Sequence, residues 1–455
     1  MLKAEAQNHQ AKLTNAAQLV GQLWDVKTGE PVSWGREQVT WFDHALLVVK
    51  EHWAGTSASA RRNTARDLTE IMLAMIDDTA KARRTRPDDA ILRRALMNWA
   101  YRYGRLEAET PPPEIASALA WLAEHSRPVA DLGTDEHIRT VLAKLATLQD
   151  GRKASASTMR TRRAILFQSV DLAVQRKLIT VNLLVTIKTK RRHADDAVSP
   201  LLVPTLVQAR RIIEAVRELP FYAHTAHRGP MLATFFYVMA LAGLRPSEVL
   251  ALTVGNCQLP LKGWGRLTLT GAAPDVGALW TDDGERHDKK GLKQRAKTAV
   301  RIVPIPPELV AILRRHLMAY PPAPDGRLFY DGPSHTYYRA RVYQDVWRRA
   351  RKAALSDAEH ASQLARRPYD LRHFNASTLI LAGVDTAQVA RRLGHSIQVL
   401  LTVYAHWIDT GEDAANAKIE AVLNSQTLPI KALTSENADR GPYAGQMAQN
   451  APIPA

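Results

Sequence analysis

The sequence predicts a mainly helical protein carrying one small antiparallel sheet. Apolar residues recur at three- and four-residue spacing through most of the chain, the period of a helix with one buried face. Only two short segments, 267–270 and 300–305, combine strand-forming side chains with bounding turn or proline residues. At 455 residues the chain is also too long for a single core, so more than one domain is expected.

Residues 1–35, punctuated by Gly29, Pro31 and Gly35, read as an N-terminal extension. From about 38 to 108 the positions Trp41, Ala45, Leu46, Val49 and Trp53 set an amphipathic helical period. Thr110-Pro-Pro-Pro113 should break the chain between helices, because proline removes a donor and clashes with the preceding turn. Helical spacing resumes over 115–123, 134–148 and 157–175, the last with Ser157-Thr158 as its N-cap. These helices make up a domain expected over 36–194. Asp195, Asp196 and Pro200 mark a boundary, and a second domain is expected over 195–425. It opens with a helix over 206–218 and a nearly all-apolar one over 231–242, which belongs inside a core because it has no polar face. After the two strands, with Pro304 and Pro306 closing the second, helices are expected over 307–317, 340–355, 370–382, 386–393 and 398–404, and helical spacing returns over 414–423. Residues 426–455, rich in Asn, Gln, Pro and Gly, read as a flexible tail.

Composition narrows the function. A net charge of +16 favours a polyanionic partner, most simply nucleic acid. The charge is unevenly placed: eleven Lys or Arg residues fall between Arg152 and Arg192, with Asp171 the only acid. Arg160, Arg162 and Arg163 on the helix, and Lys188, Lys190, Arg191 and Arg192 in the linker, are the expected DNA-backbone contacts, whose binding would weaken with salt as condensed counterions are released. A single cysteine, Cys257, excludes an internal disulfide framework and a cysteine-based zinc site. No run of 18 apolar residues and no charged-then-apolar leader pattern is present, so no membrane partner is expected, and the protein is expected in the cytoplasm with the bacterial nucleoid.

Four stretches carry residues suited to phosphoryl chemistry. Gly243-Leu-Arg245-Pro-Ser-Glu248 opens a helix with an arginine beside an apolar core, a costly place for a cation unless Glu248 braces it. Tyr369-Asp-Leu-Arg372-His373 supplies a second arginine, with His373 as a further bracing residue. Leu393-Gly394-His395 follows a glycine helix stop, and Tyr404 lies nine residues past that histidine. In-line attack on a phosphodiester builds charge on the non-bridging oxygens, which planar guanidinium groups match with two hydrogen bonds at fixed angles. A phenol can serve as the nucleophile. Guanidinium groups from distant stretches should therefore converge on one pocket with the phenol near its mouth.

These boxes resemble the tyrosine recombinase, or phage integrase, family over roughly residues 200–425. The family carries an arginine in a Gly-Leu-Arg-x-x-Glu box, a His-x-x-Arg pair, a Leu-Gly-His element and a tyrosine about nine residues beyond. This chain matches at Arg245 with Glu248, at Arg372, at Leu393-Gly394-His395 and at Tyr404. It departs where the first histidine of the pair is Tyr369, a poor base at neutral pH by its reference pKa near 10. The resemblance implies a helical, SAM-like core-binding domain, ending around Ser157-Thr-Met-Arg-Thr-Arg-Arg163 and Leu178-Ile-Thr-Val-Asn182, and an α+β catalytic domain. It also implies a hairpin lysine that protonates the leaving 5′ oxygen; of Lys293 and Lys297, Lys293 is favoured because Gly-Leu-Lys precedes the turn.

By the same resemblance the chain is expected to be a site-specific recombinase working on double-stranded DNA as a homotetramer, with accessory DNA-bending proteins as further partners. Tyr404 would form a 3′-phosphotyrosyl bond held by Arg245, Arg372, His395 and Tyr369. No cofactor or metal is implied, since phosphoester energy is kept in the protein–DNA bond. The rival readings are a type IB topoisomerase, which relaxes DNA as a monomer, and a DNA-binding relative without catalysis.

Overall fold

In the computed structural model, the described residues are 39–187, 197–292, 300–409 and 412–425, with 7, 9, 10, 13, 14 and 17 near the N-terminus. From residue 39 to 187 the helices are α1 (Trp41–Trp53), α2 (Ala58–Ala74), α3 (Ala80–Thr85), α4 (Asp89–Ala95), α5 (Arg105–Ala108), α6 (Pro113–Glu124), α7 (Asp135–Leu145) and α8 (Ala156–Gln175). The proline run does separate two helices, and Pro113 opens α6, where its missing N–H costs nothing. The cap of α8 differs from expectation. Ser155, two residues earlier than Ser157, accepts the Thr158 N–H at 3.1 Å. The helices bury Trp41, Leu68, Ile71, Met72, Leu92, Leu122, Ile138 and Leu166 in one core.

The second half runs α9 (Leu206–Glu218), α10 (Arg228–Ala242), α11 (Pro246–Leu250), β1 (Cys257–Gln258), β2 (Gly265–Leu269), β3 (Arg301–Ile305), α12 (Pro307–Ala319), α13 (Ala340–Ala354), α14 (Asp357–Ala361), α15 (Asp370–Leu381), α16 (Thr386–Leu393), α17 (Ile397–Val403), α18 (Ala405–Asp409) and α19 (Glu412–Ser425). As its composition requires, α10 is buried on all sides, packing Phe235 and Phe236 against Phe329, Tyr343 and Trp347. The sheet has order β1-β2-β3, antiparallel throughout, and β1 is a strand that the sequence did not announce. Pro304 lies inside β3 rather than closing it, paired across from Arg266. An edge strand tolerates this because the missing N–H falls on the unpaired side.

The excursion between β2 and β3 crosses from one half to the other. Val276 and Trp280 join the core of the first half, and Arg61 of α2 pairs with Asp282 (Nη2–Oδ2 3.2 Å). Among the described residues no helix is long and apolar enough to cross a membrane.

Candidate active site

The site forms where α10 ends, α15 begins and the α16–α17 corner meets β3. Gly243 terminates α10 in the left-handed conformation (φ +65°), and an added Cβ would collide with Asn375 and Leu393. The chain then turns so that Arg245 caps α11 with Pro246 at the first helical position. Glu248, three residues on, is buried and reaches back: Oε2 accepts the Arg245 backbone N–H at 2.8 Å, and Oε1 accepts from Arg245 Nη1 at 2.8 Å. The same carboxylate takes both arms of Arg301 from β3, at 3.0 and 2.8 Å.

Arg301 is a site residue that sequence reasoning missed. The available signal was the alternation of β3, in which residues 301, 303 and 305 point inward and one of these is charged. Its guanidinium also lies beneath Gly394, where any side chain would strike it.

Arg372, on the first turn of α15, is 0% exposed. It donates to the carbonyls of Gly243 and Leu393, and through Nη2 to His395 Nε2 at 2.8 Å. Arginine can only donate, so His395 Nε2 accepts and the ring proton sits on Nδ1. That Nδ1 is buried without a partner among the described residues. Burial and the neighbouring Arg372 and Arg245 push His395 down to about 3, so it stays neutral at pH 7. Burial, then Arg245, brings Arg372 down to about 10, still cationic near neutrality. For Glu248 burial favours the neutral form, but Arg301, Arg372 and Arg245 outweigh it and bring the carboxyl down to about 2. Burial also works against the Arg245 cation, yet Glu248 and the Tyr369 phenol raise it above the ordinary arginine range. Three guanidinium groups thus surround one carboxylate, which bonds Arg245 and Arg301 and not Arg372. A dry pocket with this surplus of positive charge, and an orphaned N–H beside it, is built for an anion.

Tyr404 ends α17 and is 0% exposed, so the phenol lies inside the pocket wall and not at its mouth as expected. Its ring stacks on His395 (centroids 6.4 Å, 22°), and its hydroxyl meets His373 Nδ1 at 2.9 Å. Burial raises its pKa, Arg372 opposing. Tyr369 stands edge-on to His373 at 5.3 Å. The six described residues expected here, Arg245, Tyr369, Arg372, His395, Tyr404 and Glu248, are therefore brought together with His373. Lys293 and its alternative Lys297 lie outside the described residues, as do Lys188, Lys190, Arg191 and Arg192.

The helical arginines need correction. Arg160 is exposed on α8. Arg162 is buried, donating to the carbonyls of Leu145 and Thr147 and lying 3.7 Å from Glu70. Arg163 is half-buried, with Nη2 donating to Leu184 and Ile187 carbonyls at 2.7 Å. Neither is laid out for a phosphate. Both instead join the first half of α8 to the loops around it.

A catalytic-looking phenol beside a cation-rich pocket, on a helical fold with one small sheet, defines the class of tyrosine-type site-specific recombinases. Residues 205–410 match the model of the phage integrase family. No curated protein matches it. Among solved structures it is similar to the Tn1549 transposon integrase in complex with transposon right end DNA (18% identity, 66% of this chain and 88% of that one, TM-score 0.48). It is also similar to the XerH site-specific recombinase bound to palindromic difH substrate (13%, 79% and 96%, 0.45) and to a lambda integrase dimer bound to a COC′ core site (13%, 70% and 76%, 0.42).

Proposed function

We propose that this recombinase cuts and rejoins duplex DNA at particular sites through a 3′-phosphotyrosyl bond on Tyr404. The observation that carries the reading is the charge count of the pocket: Arg245, Arg301 and Arg372 around the single carboxylate of Glu248, next to a phenol. Arg245, Arg372 and the Nδ1–H of His395 hold the non-bridging oxygens, and Tyr369 adds a donor. Preorganised donors in a water-poor site supply transition-state stabilisation without reorganising during the reaction. Tyr404 attacks phosphorus and the 5′ oxygen leaves. A 5′ hydroxyl from a partner strand then reverses the step, so strand exchange needs no external energy source. Since Tyr404 has no exposure in this fold, the reading requires bound DNA to open the one-residue joint between α17 and α18 enough to admit the phosphate.

Residues 36–194 act as the core-binding domain and 195–425 as the catalytic domain, with 1–35 and 426–455 as appendages. The two domains clasp the duplex from opposite sides, with Arg160 and the linker residues Lys188, Lys190, Arg191 and Arg192 on its backbone. Exchange between two duplexes calls for four copies. The phage integrase match over residues 205–410 and a net charge of +16 support a duplex as the partner here.

A nicked suicide duplex, from which the cut strand diffuses away, tests the reading. Wild-type protein should accumulate a covalent DNA adduct that survives denaturation, and Tyr404→Phe should yield none. Absence of the adduct from the wild type across a library of duplexes would leave a DNA-binding relative. Relaxation of any supercoiled plasmid without exchange between marked sites would favour the topoisomerase.

A further inference from the structure

Taking Tyr404 as the nucleophile, as proposed above, leaves its proton without a destination. The box position where the family resemblance puts a histidine holds Tyr369, a phenol. His395 cannot serve: its Nε2 lone pair is taken by Arg372, and its Nδ1 bears the proton. Among the described residues the group within hydrogen-bond reach of the Tyr404 hydroxyl is His373, one residue past Arg372, with Nδ1 2.9 Å from the phenolic oxygen. That distance lies inside the reach a general base needs.

We infer that His373 is the general base of the reaction, a catalytic residue that accepts the Tyr404 proton on Nδ1. As the phenolic oxygen bonds to phosphorus, its O–H bond breaks and the proton passes to Nδ1. The P–O5′ bond breaks in the same displacement, and the 5′ oxygen departs with its electron pair and is protonated by solvent or the hairpin lysine. In the rejoining step the 5′ hydroxyl attacks phosphorus and gives its proton back to solvent or the hairpin lysine, the P–O bond to Tyr404 breaks, and the imidazolium returns its proton to the departing phenolate.

The surroundings keep the ring in its proton-accepting form, at a cost in basicity. His373 is largely buried, and burial together with Arg367 and Arg372 brings its pKa down to about 4, so the ring is a free base across the physiological range. The titratable and charged groups facing it are Tyr369 and Arg372, both just before it in its own segment, Arg367 ahead of α15, His395 after α16, and Tyr404 ending α17. His406, on the neighbouring α18, is exposed. Tyr404 needs the help, because burial disfavours its anion and leaves almost no phenolate at neutral pH.

The test is the pH dependence of single-turnover adduct formation on the suicide duplex, for wild type and His373→Asn. Asparagine can keep a hydrogen bond to the phenol but cannot take its proton, so it separates holding from proton transfer. The expected wild-type rate is level near neutrality and falls below about pH 5. The variant should bind the duplex as tightly as wild type, cleave about 10²–10⁴-fold more slowly, and gain about tenfold per pH unit toward alkali, because the phenol must then ionise unaided. Its defect should persist on a duplex whose scissile 5′ oxygen is replaced by sulfur, a leaving group that needs no proton. An unchanged rate and profile in His373→Asn overturns the inference. So does faster cleavage, which would make the contact a lock, or rescue by the sulfur substrate, which would make His373 an acid. His373→Gln provides the same comparison if the asparagine variant melts early. Wild-type protein that forms no adduct would instead remove the phosphotyrosyl reading itself.

Discussion

The two halves of the molecule both bury arginine, and they do opposite things with it. In the helical half, Arg162 gives its protons to two carbonyls, and Arg61 to the carbonyls of Trp53 and Trp280 and to Asp282. Arg61 is matched to acceptors at every nitrogen, and Arg162 at Nη1 though not at its buried Nε, and each joins separate elements of the half. In the other half, Arg245, Arg301 and Arg372 crowd around one carboxylate, and a neighbouring imidazole has an N–H with no acceptor among the described residues. Burial of a guanidinium is therefore no sign of function by itself. What distinguishes the pocket is charge without enough partners, which folding tolerates because an anion is meant to complete it.

Removing the pocket's anion should have the largest effect. Glu248→Gln strands Arg301 and Arg245, and losing one partner of a buried pair costs about 3–5 kcal/mol. Denaturant melts would read this, and a variant as stable as the parent would erase the contrast. The pH dependence adds a check. Glu248 is lowered in the fold to about 2 from an unfolded value of 4.5. Its contribution, of order 3 kcal/mol by linkage, is complete above pH 4.5 and fades as pH falls toward 2. The stability gap between parent and variant should close over that window.

A middling effect is expected from Arg162→Met, which leaves the buried carbonyl of Leu145 unpaired at about 1–3 kcal/mol. Its DNA affinity should keep the same dependence on salt. A slope shallower by about one would restore Arg162 as a phosphate contact. The smallest effect belongs to Asp282→Asn. The carboxylate is 79% exposed although its partner Arg61 is buried, so the loss should stay within about 1 kcal/mol. A loss as large as that of Glu248→Gln would mean that the bridge between halves depends on charge rather than on Trp280.

Much of the molecule was legible beforehand, and for local reasons. Helix α9 and helix α16 fall at the expected residues because amphipathic spacing and an N-cap lie close together in each, with Pro220 just past the end of α9 and Gly394 stopping α16. The strand β1 was not legible, being two residues long and defined only by its pairing with β2. Dense positive charge on α8 was visible, but a linear run of arginines does not tell which ones a helix turns inward. Arg162 and Arg163 were misread for that reason.

The chain by itself determined its helical periods, its net charge, and the identities of the two arginines, the histidine and the tyrosine that mark the family. Those features survive any rotation of one segment against another. Tertiary structure alone decided that Arg301 shares Glu248 across 53 residues, that Arg372 closes on Gly243 across 129, and that His373 touches Tyr404 across 31. Hydrogen bonds and ion pairs act over a few ångströms, so partners so distant along the polymer are created only when packing brings their backbones together.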